Sequence, residues 1–281
     1  MSNSDDTMMH KIMRQMFRPS NILQKIWRRF PIGSFGLRVY FDATPRPHLA
    51  YCMYHMAIAA RQLGFDKVSV LEFGVAQGAG LLCMERLATE IEKEISIEFE
   101  IYGFDTGEGM PKEVDYKDTP YLWQEGFFKM NKEELESKLK RALLIIGDVA
   151  ETVPDFFKNY SPAPIGFVVF DLDYYSSTVN ALKIFNANSN TRLPRTFCYF
   201  DDIIGFDYEL LCEYVGELRA INEYNQQNKD MKIAKIYGLS SKRWLRSYWP
   251  DQAFILHDFK HPMYNKYIFG DKERHVPNKK W

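Results

Sequence analysis

Short apolar runs alternate with longer amphipathic runs along most of this chain. Short apolar runs are typical of buried strands, and apolar positions three and four residues apart are typical of helices. The predicted strands are 68–73, 99–105, 143–147, 165–171 and 196–200, with two later strand-like runs at 231–237 and 252–259. The predicted helices are 46–63, 80–93, 131–141, 177–185 and 208–225.

The order of these elements predicts an α/β fold. Because helices separate most of the strands, we expect a mostly parallel sheet with helices on both faces. The last two strand-like runs have no helix between them, and we interpret them as a terminal antiparallel hairpin. A length of 281 residues fits one large domain with an accessory segment. We therefore divide the chain into an N-terminal basic arm at 1–44 and an α/β domain at 45–281.

The arm is basic between residues 10 and 30, where lysines and arginines alternate with apolar residues and no acid occurs. One interpretation is an amphipathic segment that contacts an anionic membrane surface. The other is a helical arm that packs on the domain or on a second subunit. Pro19 interrupts the segment and favours the second interpretation. We also expect a homo-oligomer.

The composition limits the cellular compartments and the binding partners that we expect for the chain. The net charge is −1, so no overall charge favours nucleic acid, and we expect no nucleic-acid partner. The four cysteines form no C-x-x-C pair and are expected to be small buried hydrophobes in a reducing compartment. The longest uncharged stretch, 47–60, is shorter than the roughly 20 residues that span a bilayer. We expect a cytoplasmic protein.

A glycine-rich loop follows the first predicted strand. It contains Glu72, Gly74, Gly78 and Gly80, with the spacing G-x-x-x-G-x-G. This spacing differs from the dinucleotide fingerprint G-x-G-x-x-G and lacks the Gly-Lys-Ser/Thr ending of a P-loop. Glycines let the backbone approach a ligand closely, and the following helix start favours electronegative groups. The alternative is a tight strand-to-helix turn without a ligand.

Acids follow the next two predicted strands. Asp105 ends the second strand, where a carboxylate can accept from both hydroxyls of a ribose. Asp148 follows the third strand, where a carboxylate can accept from an adenine amino group. Alternatively, Asp105 caps a turn and Asp148 caps the next helix. Polar residues on three successive strand ends favour a nucleoside ligand, because open α/β sheets bind ligands at this edge.

Five motifs follow one another at the predicted strand ends: LEFGVA at 71–76, YGFDTGEGMP at 102–111, GDVAETVP at 147–154, FDLDYYSST at 170–178 and YFDDI at 199–203. In this order they resemble the macrocin O-methyltransferase-like group of class I methyltransferases, which use S-adenosylmethionine (SAM). The resemblance covers about residues 45–205. It implies a Rossmann-like, seven-stranded sheet with a reversed last strand.

The resemblance also implies SAM as the methyl donor. It assigns Glu72 and the three glycines to the methionine half of SAM. It assigns Asp105, with Thr106 beside it, to the ribose and Asp148 to the adenine side.

Four further acids follow the fourth and fifth predicted strands: Asp171, Asp173, Asp201 and Asp202. Carboxylates this close repel one another, and a divalent cation relieves the repulsion. All-oxygen ligands suit Mg²⁺. The resemblance implies Asp171, Asp201 and Asp202 as the ligands. Asp173 either joins the chemistry or caps the following helix.

The predicted reaction is metal-assisted methyl transfer to a hydroxyl. The family resemblance implies that this hydroxyl belongs to a sugar or a glycosylated small molecule. Asp171 or Asp173 would take the proton from the hydroxyl. Some relatives carry a histidine after the fourth strand, where this chain has Tyr174 and Tyr175. The long link at 106–130 is rich in aromatic residues, and we expect an ordered lid over SAM or the acceptor.

Two other functions fit parts of the pattern. The pair Asp171-x-Asp173 is also typical of metal-dependent glycosyltransferases that use a nucleotide-sugar. A non-catalytic subunit that binds SAM would show the same glycine-rich loop and acids.

Overall fold

A computed structural model of the protein describes residues 19–268. In this part of the chain one sheet has the strand order β3-β2-β1-β4-β5-β7-β6. Strands β1 to β5 are parallel, and β7 is antiparallel to both of its neighbours, β5 and β6. The strands are β1 (Lys67–Phe73), β2 (Glu98–Asp105), β3 (Leu143–Ile146), β4 (Ile165–Phe170), β5 (Arg192–Phe200), β6 (Met231–Lys235) and β7 (Ala253–Asp258). The predicted α/β sheet with an antiparallel last strand is confirmed.

Helices cover both faces of the sheet. Alternate residues of β1 point to opposite faces, so Val68 and Val70 join one apolar core and Leu71 and Phe73 join the other. The helices are α1 (Pro19–Arg29), α2 (Phe35–Tyr40), α3 (Pro47–Leu63), α4 (Ala79–Glu94), α5 (Lys132–Lys138), α6 (Val149–Tyr160), α7 (Tyr175–Leu182) and α8 (Gly216–Gln227). Short 3₁₀ turns connect several of them.

Four fully buried phenylalanines form a row across the sheet at the carboxyl ends of the strands. Phe104, Phe73, Phe170 and Phe200 are the paired last or next-to-last residues of β2, β1, β4 and β5. Their ring centroids are 4.6, 5.6 and 4.6 Å apart in that order. The residue after each ring therefore emerges at the same edge of the sheet.

Several predicted boundaries are wrong, and two of them have a local structural reason. The helix predicted at 208–225 begins only at Gly216, because Leu210 and Gly216 both have positive φ angles that a helix does not continue through. The helix predicted at 131–141 ends at Lys138. Beyond it, the backbone amides of residues 140–142 donate to Glu85 Oε1 over 2.7–2.9 Å. The fifth strand begins at Arg192 rather than at residue 196.

Other elements were not predicted at all. Helices α2 and α6 have no counterpart among the predicted elements. Cys212 is exposed, whereas all four cysteines were expected to be buried; Cys52, Cys83 and Cys198 are buried.

The N-terminal arm is only partly described, and residues 10–18 of its basic segment lie outside the described residues. In the described part, Gln24 donates to the carbonyl oxygens of Phe41 and Asp42, and Arg28 donates to that of Asp42. Helix α1 therefore packs on the chain that enters the domain. Among residues 19–268, no helix is both long and apolar enough to cross a membrane. Membrane contact, oligomerisation and the domain boundary at 44 stay predictions.

The phenylalanine row generates the first testable prediction. Phe170→Ala removes the ring between Phe73 and Phe200, and we expect the free energy of unfolding to fall by about 3–5 kcal/mol. Urea unfolding followed by circular dichroism measures the change. The control is Phe206→Ala, because Phe206 is 70% exposed. This substitution should lower the free energy of unfolding by less than about 1 kcal/mol. Equal losses in the two variants would contradict a structural role for the row.

Candidate active site

A cavity of about 470 Å³ opens at the carboxyl edge of the parallel strands. Seven of the sequence-predicted site residues line it: Gly74, Asp105, Thr106, Asp148, Asp171, Asp173 and Asp202. The other four predicted residues, Glu72, Gly78, Gly80 and Asp201, are absent from its lining. The strand ends thus bring the predicted groups together, and the exceptions lie behind or beside the cavity wall.

The glycines of the β1–α4 loop are explained by close packing. Gly74 has a φ of +83°, and a Cβ there would overlap the carbonyl oxygen of Asp171. A Cβ at Gly80 would overlap the carboxylate of Glu72. Gly74 therefore lets the first loop approach the end of β4. Gly80 lets the start of α4 lie against Glu72.

Glu72 is buried behind the loop, with 3% of its surface exposed. It accepts a hydrogen bond from the backbone of Leu81, and its Oε2 has no partner among the described residues. Burial, and then the charge of Asp171, raise the pKa of this carboxyl well above its ordinary value. In this arrangement Glu72 acts on the start of α4 rather than on the cavity.

Asp105 clamps the same loop to β2. Its Oδ2 accepts from the backbone amides of Val75 and Ala76 at 2.8 and 2.9 Å, and its Oδ1 accepts from that of Gly107 at 2.7 Å. A carboxylate offers about four acceptor positions, so roughly one position stays available for a ligand in the cavity. The carboxylate thus orders the loop first and can contact a ligand second.

Asp148 and Thr106 hold local turns at the cavity rim. Asp148 is the N-cap of α6 and accepts from the amide of Ala150 at 2.8 Å, so the capping alternative is seen. Its side chain is also exposed and lines the cavity. Thr106 Oγ1 donates to the carbonyl oxygen of Gly109 at 2.8 Å and fixes the start of the long link.

Asp171, Asp201 and Asp202 each place a carboxylate oxygen within 4.8 Å of the others. Burial, followed by the charges of the neighbouring aspartates, raises the pKa of Asp171 and of Asp202 well above the ordinary value. Burial also raises the pKa of Asp201, although the neighbouring Tyr199 hydroxyl and the charge of Arg46 lower it in part. The three acids predicted as metal ligands therefore lie together.

Asp173 is attached to this cluster through its backbone. Its amide donates to Asp202 Oδ2 at 2.9 Å, and the amide of Asp202 donates to Glu217 Oε2 at 3.0 Å. Asp173 has a φ of +53°, which is unfavourable for a residue with a side chain. Burial and the charge of Asp171 raise its pKa to about 7. The ladder of hydrogen bonds from Glu217 holds Asp173 in this conformation.

Sequence analysis missed Glu217. It is fully buried in the first turn of α8, its Oε1 has no partner among the described residues, and burial raises its pKa well above the ordinary value. In the predicted helix 208–225 this glutamate had an ordinary interior position. Only the true helix start, at Gly216, places it beside the strand ends.

Sequence analysis also missed Arg46, the residue that precedes α3. It has a φ of +42° although Pro47 follows, and a residue before proline normally adopts an extended conformation. The charge of Arg46 lowers the pKa values of Glu72, Asp171 and Asp201, although burial dominates each shift. Arg46 is exposed, and its charge offsets only a part of the cost of burying these three acids.

The histidines of α3 have structural surroundings. His48 stacks on Tyr199 with 4.5 Å between ring centroids, and burial lowers its pKa to about 3. Burial lowers the pKa of His55 to about 4. Both rings are thus neutral near pH 7, as expected for packed rather than catalytic residues.

The long link at 106–130 forms a wall of the cavity, to which Met110, Trp123 and Phe128 contribute. Its anchor is Asp118, which is fully buried. Asp118 accepts from the amide and hydroxyl of Ser176 at 2.8 and 2.9 Å, and from the amide of Val114 at 2.8 Å. Because Ser176 lies in the first turn of α7, Asp118 caps that helix from the link.

Comparison with known proteins gives similarity at the level of structure. No family model and no curated protein sequence matches the chain. Among solved structures, the O-methyltransferase NovP is 12% identical over 75% of this chain and 79% of its own, with a TM-score of 0.52. CalS11, a calicheamicin methyltransferase, is 24% identical over 72% of this chain and 77% of its own, with a TM-score of 0.48.

The likeness to NovP concerns the fold, and it agrees with the strand order and the reversed β7 described above. The resemblance drawn from the sequence motifs is confirmed at this level. This chain has the Rossmann-like, seven-stranded fold of the class I SAM-dependent methyltransferases.

Proposed function

We propose that the protein is a SAM-dependent O-methyltransferase whose reaction is assisted by a divalent cation. The observation that carries the proposal is the continuity of the site. One cavity runs from the β1–α4 loop, Asp105 and Asp148 to the acids after β4 and β5. The acceptor we propose is a hydroxyl of a sugar or a glycosylated small molecule.

The cavity suits SAM in size and polarity. Its volume of about 470 Å³ lies within the range of small-molecule sites, roughly 300–1,000 Å³. Apolar groups from Phe104, Met110, Val149 and Leu172 line it together with the predicted polar residues. Gly74 would face the methionine half, Asp105 the ribose and Asp148 the adenine. Bound SAM supplies an electrophilic methyl group.

The acid cluster suits Mg²⁺. Asp171, Asp201 and Asp202 offer oxygen ligands only, and their mutual repulsion is incompletely balanced by Arg46. Carboxylate oxygens supplemented by water are the usual ligands of this cation. A bound Mg²⁺ would stabilise the ionised form of an acceptor hydroxyl.

Asp173 is the residue we propose as general base. It lines the cavity beside the acid cluster, where its carboxylate could accept the proton of an acceptor hydroxyl. The ladder from Glu217 fixes its backbone, so the carboxylate would be oriented before the acceptor binds. Asp171, which the sequence offers as the alternative base, is more useful as a ligand because it lies among the three clustered acids.

Donor binding is the first test. We expect SAM and S-adenosylhomocysteine (SAH) to raise the melting temperature in differential scanning fluorimetry. Asp105→Ala should weaken SAH binding by about 10–100-fold, because it removes a charged acceptor and loosens the loop. The control, Asp155→Ala on the exposed face of α6, should bind normally. Stabilisation by UDP-sugars alone would instead support a glycosyltransferase and contradict the proposal.

The metal site predicts a pH-dependent stability difference. Without metal, the folded state holds the proton of Asp171 to higher pH than the unfolded state does, so its contribution to the free energy of unfolding falls as pH rises above about 4. Asp171→Asn removes this loss. In EDTA at pH 8 the variant should be more stable than the wild type by about 1–3 kcal/mol, and the gain should shrink toward pH 5.

Urea unfolding at the two pH values measures this difference, with Asp155→Asn as the control. Added Mg²⁺ should stabilise the wild type and not Asp171→Asn, because only the wild type keeps the complete ligand set. A variant that is less stable in EDTA at pH 8, yet gains as much from Mg²⁺ as the wild type, would rule out this metal site.

Turnover is the third test, measured as SAH release against a panel of glycosides and nucleotide-linked sugars. EDTA should abolish methyl transfer and Mg²⁺ should restore it. Asp173→Asn should lower kcat by about 10²–10⁴-fold while SAH binding is retained. The Asp201→Asn, Asp202→Asn double variant should be inactive. SAH binding without turnover on any acceptor would support a non-catalytic subunit.

A further inference from the structure

A second cavity, of about 230 Å³, lies beside the N-terminus of α3. It shares no lining residue with the larger cavity. Helix α1, the start of α3 and the segment at 245–249 form its walls. Its lining side chains that carry hydrogen-bond donors include Lys25, Arg28, Arg246, Ser247 and Trp249. Gln24 also lines it, but its amide already donates to the carbonyl oxygens of Phe41 and Asp42.

The charge of this basic cavity is not balanced by its own lining. Asp42 is the one carboxylate among the described lining residues, and it is buried in an ion pair with Arg243. Arg28 donates to the backbone carbonyl of Asp42 at 2.8 and 3.1 Å rather than to a carboxylate. Burial lowers the pKa of Arg28 more than the charge of Asp42 raises it. Lys25 and Arg28 therefore give the cavity a positive potential.

Neutral donors point to the same kind of ligand. Trp249 is only 6% exposed, and its Nε1 has no acceptor among the described residues. The Oγ of Ser247 is also buried and has no hydrogen-bond partner among the described residues. Helix α3 adds its positive end, because its N-cap residue, Arg46, makes no capping hydrogen bond with its side chain. Cations, unpaired N–H and O–H groups and a helix N-terminus together favour an oxyanion.

The basic cavity lies close to the proposed reaction centre. Pro47 lines it, and the adjacent His48 stacks on Tyr199 of β5, the strand that Asp201 follows. Trp249, also in its lining, accepts from the amide of Gln252, whose side chain donates to the carbonyl oxygen of Asp201. Asp201 lies outside the lining of the SAM-sized cavity. A group bound at the basic cavity would thus belong to the acceptor rather than to SAM.

We propose that the basic cavity binds a phosphate group carried by the methyl acceptor, so that the acceptor is a phosphate-linked sugar such as a nucleoside diphosphate sugar. Arginine matches phosphate oxygens with paired hydrogen bonds, and lysine adds a mobile charge. The inference that the phosphate belongs to the methyl acceptor rests on the proposed methyl transfer. The inference that the basic cavity binds phosphate is independent of it.

Calorimetric titration of the full-length protein with UDP, UDP-glucose and inorganic phosphate tests this proposal, with and without saturating SAH. We expect UDP and UDP-glucose to bind whether or not SAH is present. Arg28→Gln should weaken UDP binding by about tenfold, and Trp249→Phe, which keeps an aromatic ring but removes the N–H, by about threefold. SAH affinity should change in neither variant. Lys158→Gln, an exposed lysine on α6, is the control.

Several outcomes would overturn the proposal. These are the absence of UDP binding, unchanged UDP binding in both variants, binding of inorganic phosphate alone, and displacement of UDP by SAH. Arg28 also holds α1, so if Arg28→Gln does not fold, Lys25→Gln replaces it, with an expected loss of about threefold. Failure of the wild type to bind SAH would contradict the proposed methyl transfer, while the UDP titrations would still decide whether the basic cavity binds phosphate.

Discussion

The stacked row of Phe73, Phe104, Phe170 and Phe200 is the constraint on which the candidate site depends. Each ring is followed directly by a residue of the site edge: Gly74, Asp105, Asp171 and Asp201. Because the rings pair in register across four parallel strands, a slip of one strand by one residue would turn its ring out of the core. The apolar core thus fixes the relative positions of polar groups that would otherwise repel one another.

The acid cluster destabilises the folded state, whereas the phenylalanine row stabilises it. Asp171, Asp202 and Glu217 are carboxyl groups whose burial disfavours their charged forms. The charge of Arg46 offsets part of that cost for Asp171. The chain holds them in place with backbone hydrogen bonds, in which Glu217 accepts from Asp202 and Asp202 accepts from Asp173. Such a site is ordered before any ligand arrives, and a cation that enters it gains interactions without a large rearrangement.

Much of the candidate site can be predicted from the sequence, because apolar runs show where the strands end. Asp105, Asp148 and Asp171 each follow an apolar run, and parallel strands bring such positions to one edge. Glu217 and Arg46 could not be placed in the same way. Both stand at helix starts that depend on positive φ angles, at Gly216 and at Arg46 itself. The spacing of apolar residues does not predict such angles. The sequence therefore contains no indication that Glu217 and Arg46 lie near the strand ends.

The buried hydrogen bonds of Asp118 have a consequence for how ligands reach the larger cavity. They fasten the long link near its middle to the start of α7, and so divide it into two arms, 106–117 and 119–130. A tethered short loop explores far fewer conformations than a free loop of twice its length. The two arms are also joined to each other, because the amide of Met110 donates to the carbonyl oxygen of Phe127 and the amide of Gly126 donates to the carbonyl oxygen of Met110. Ligand exchange would therefore require both arms to move together about Asp118.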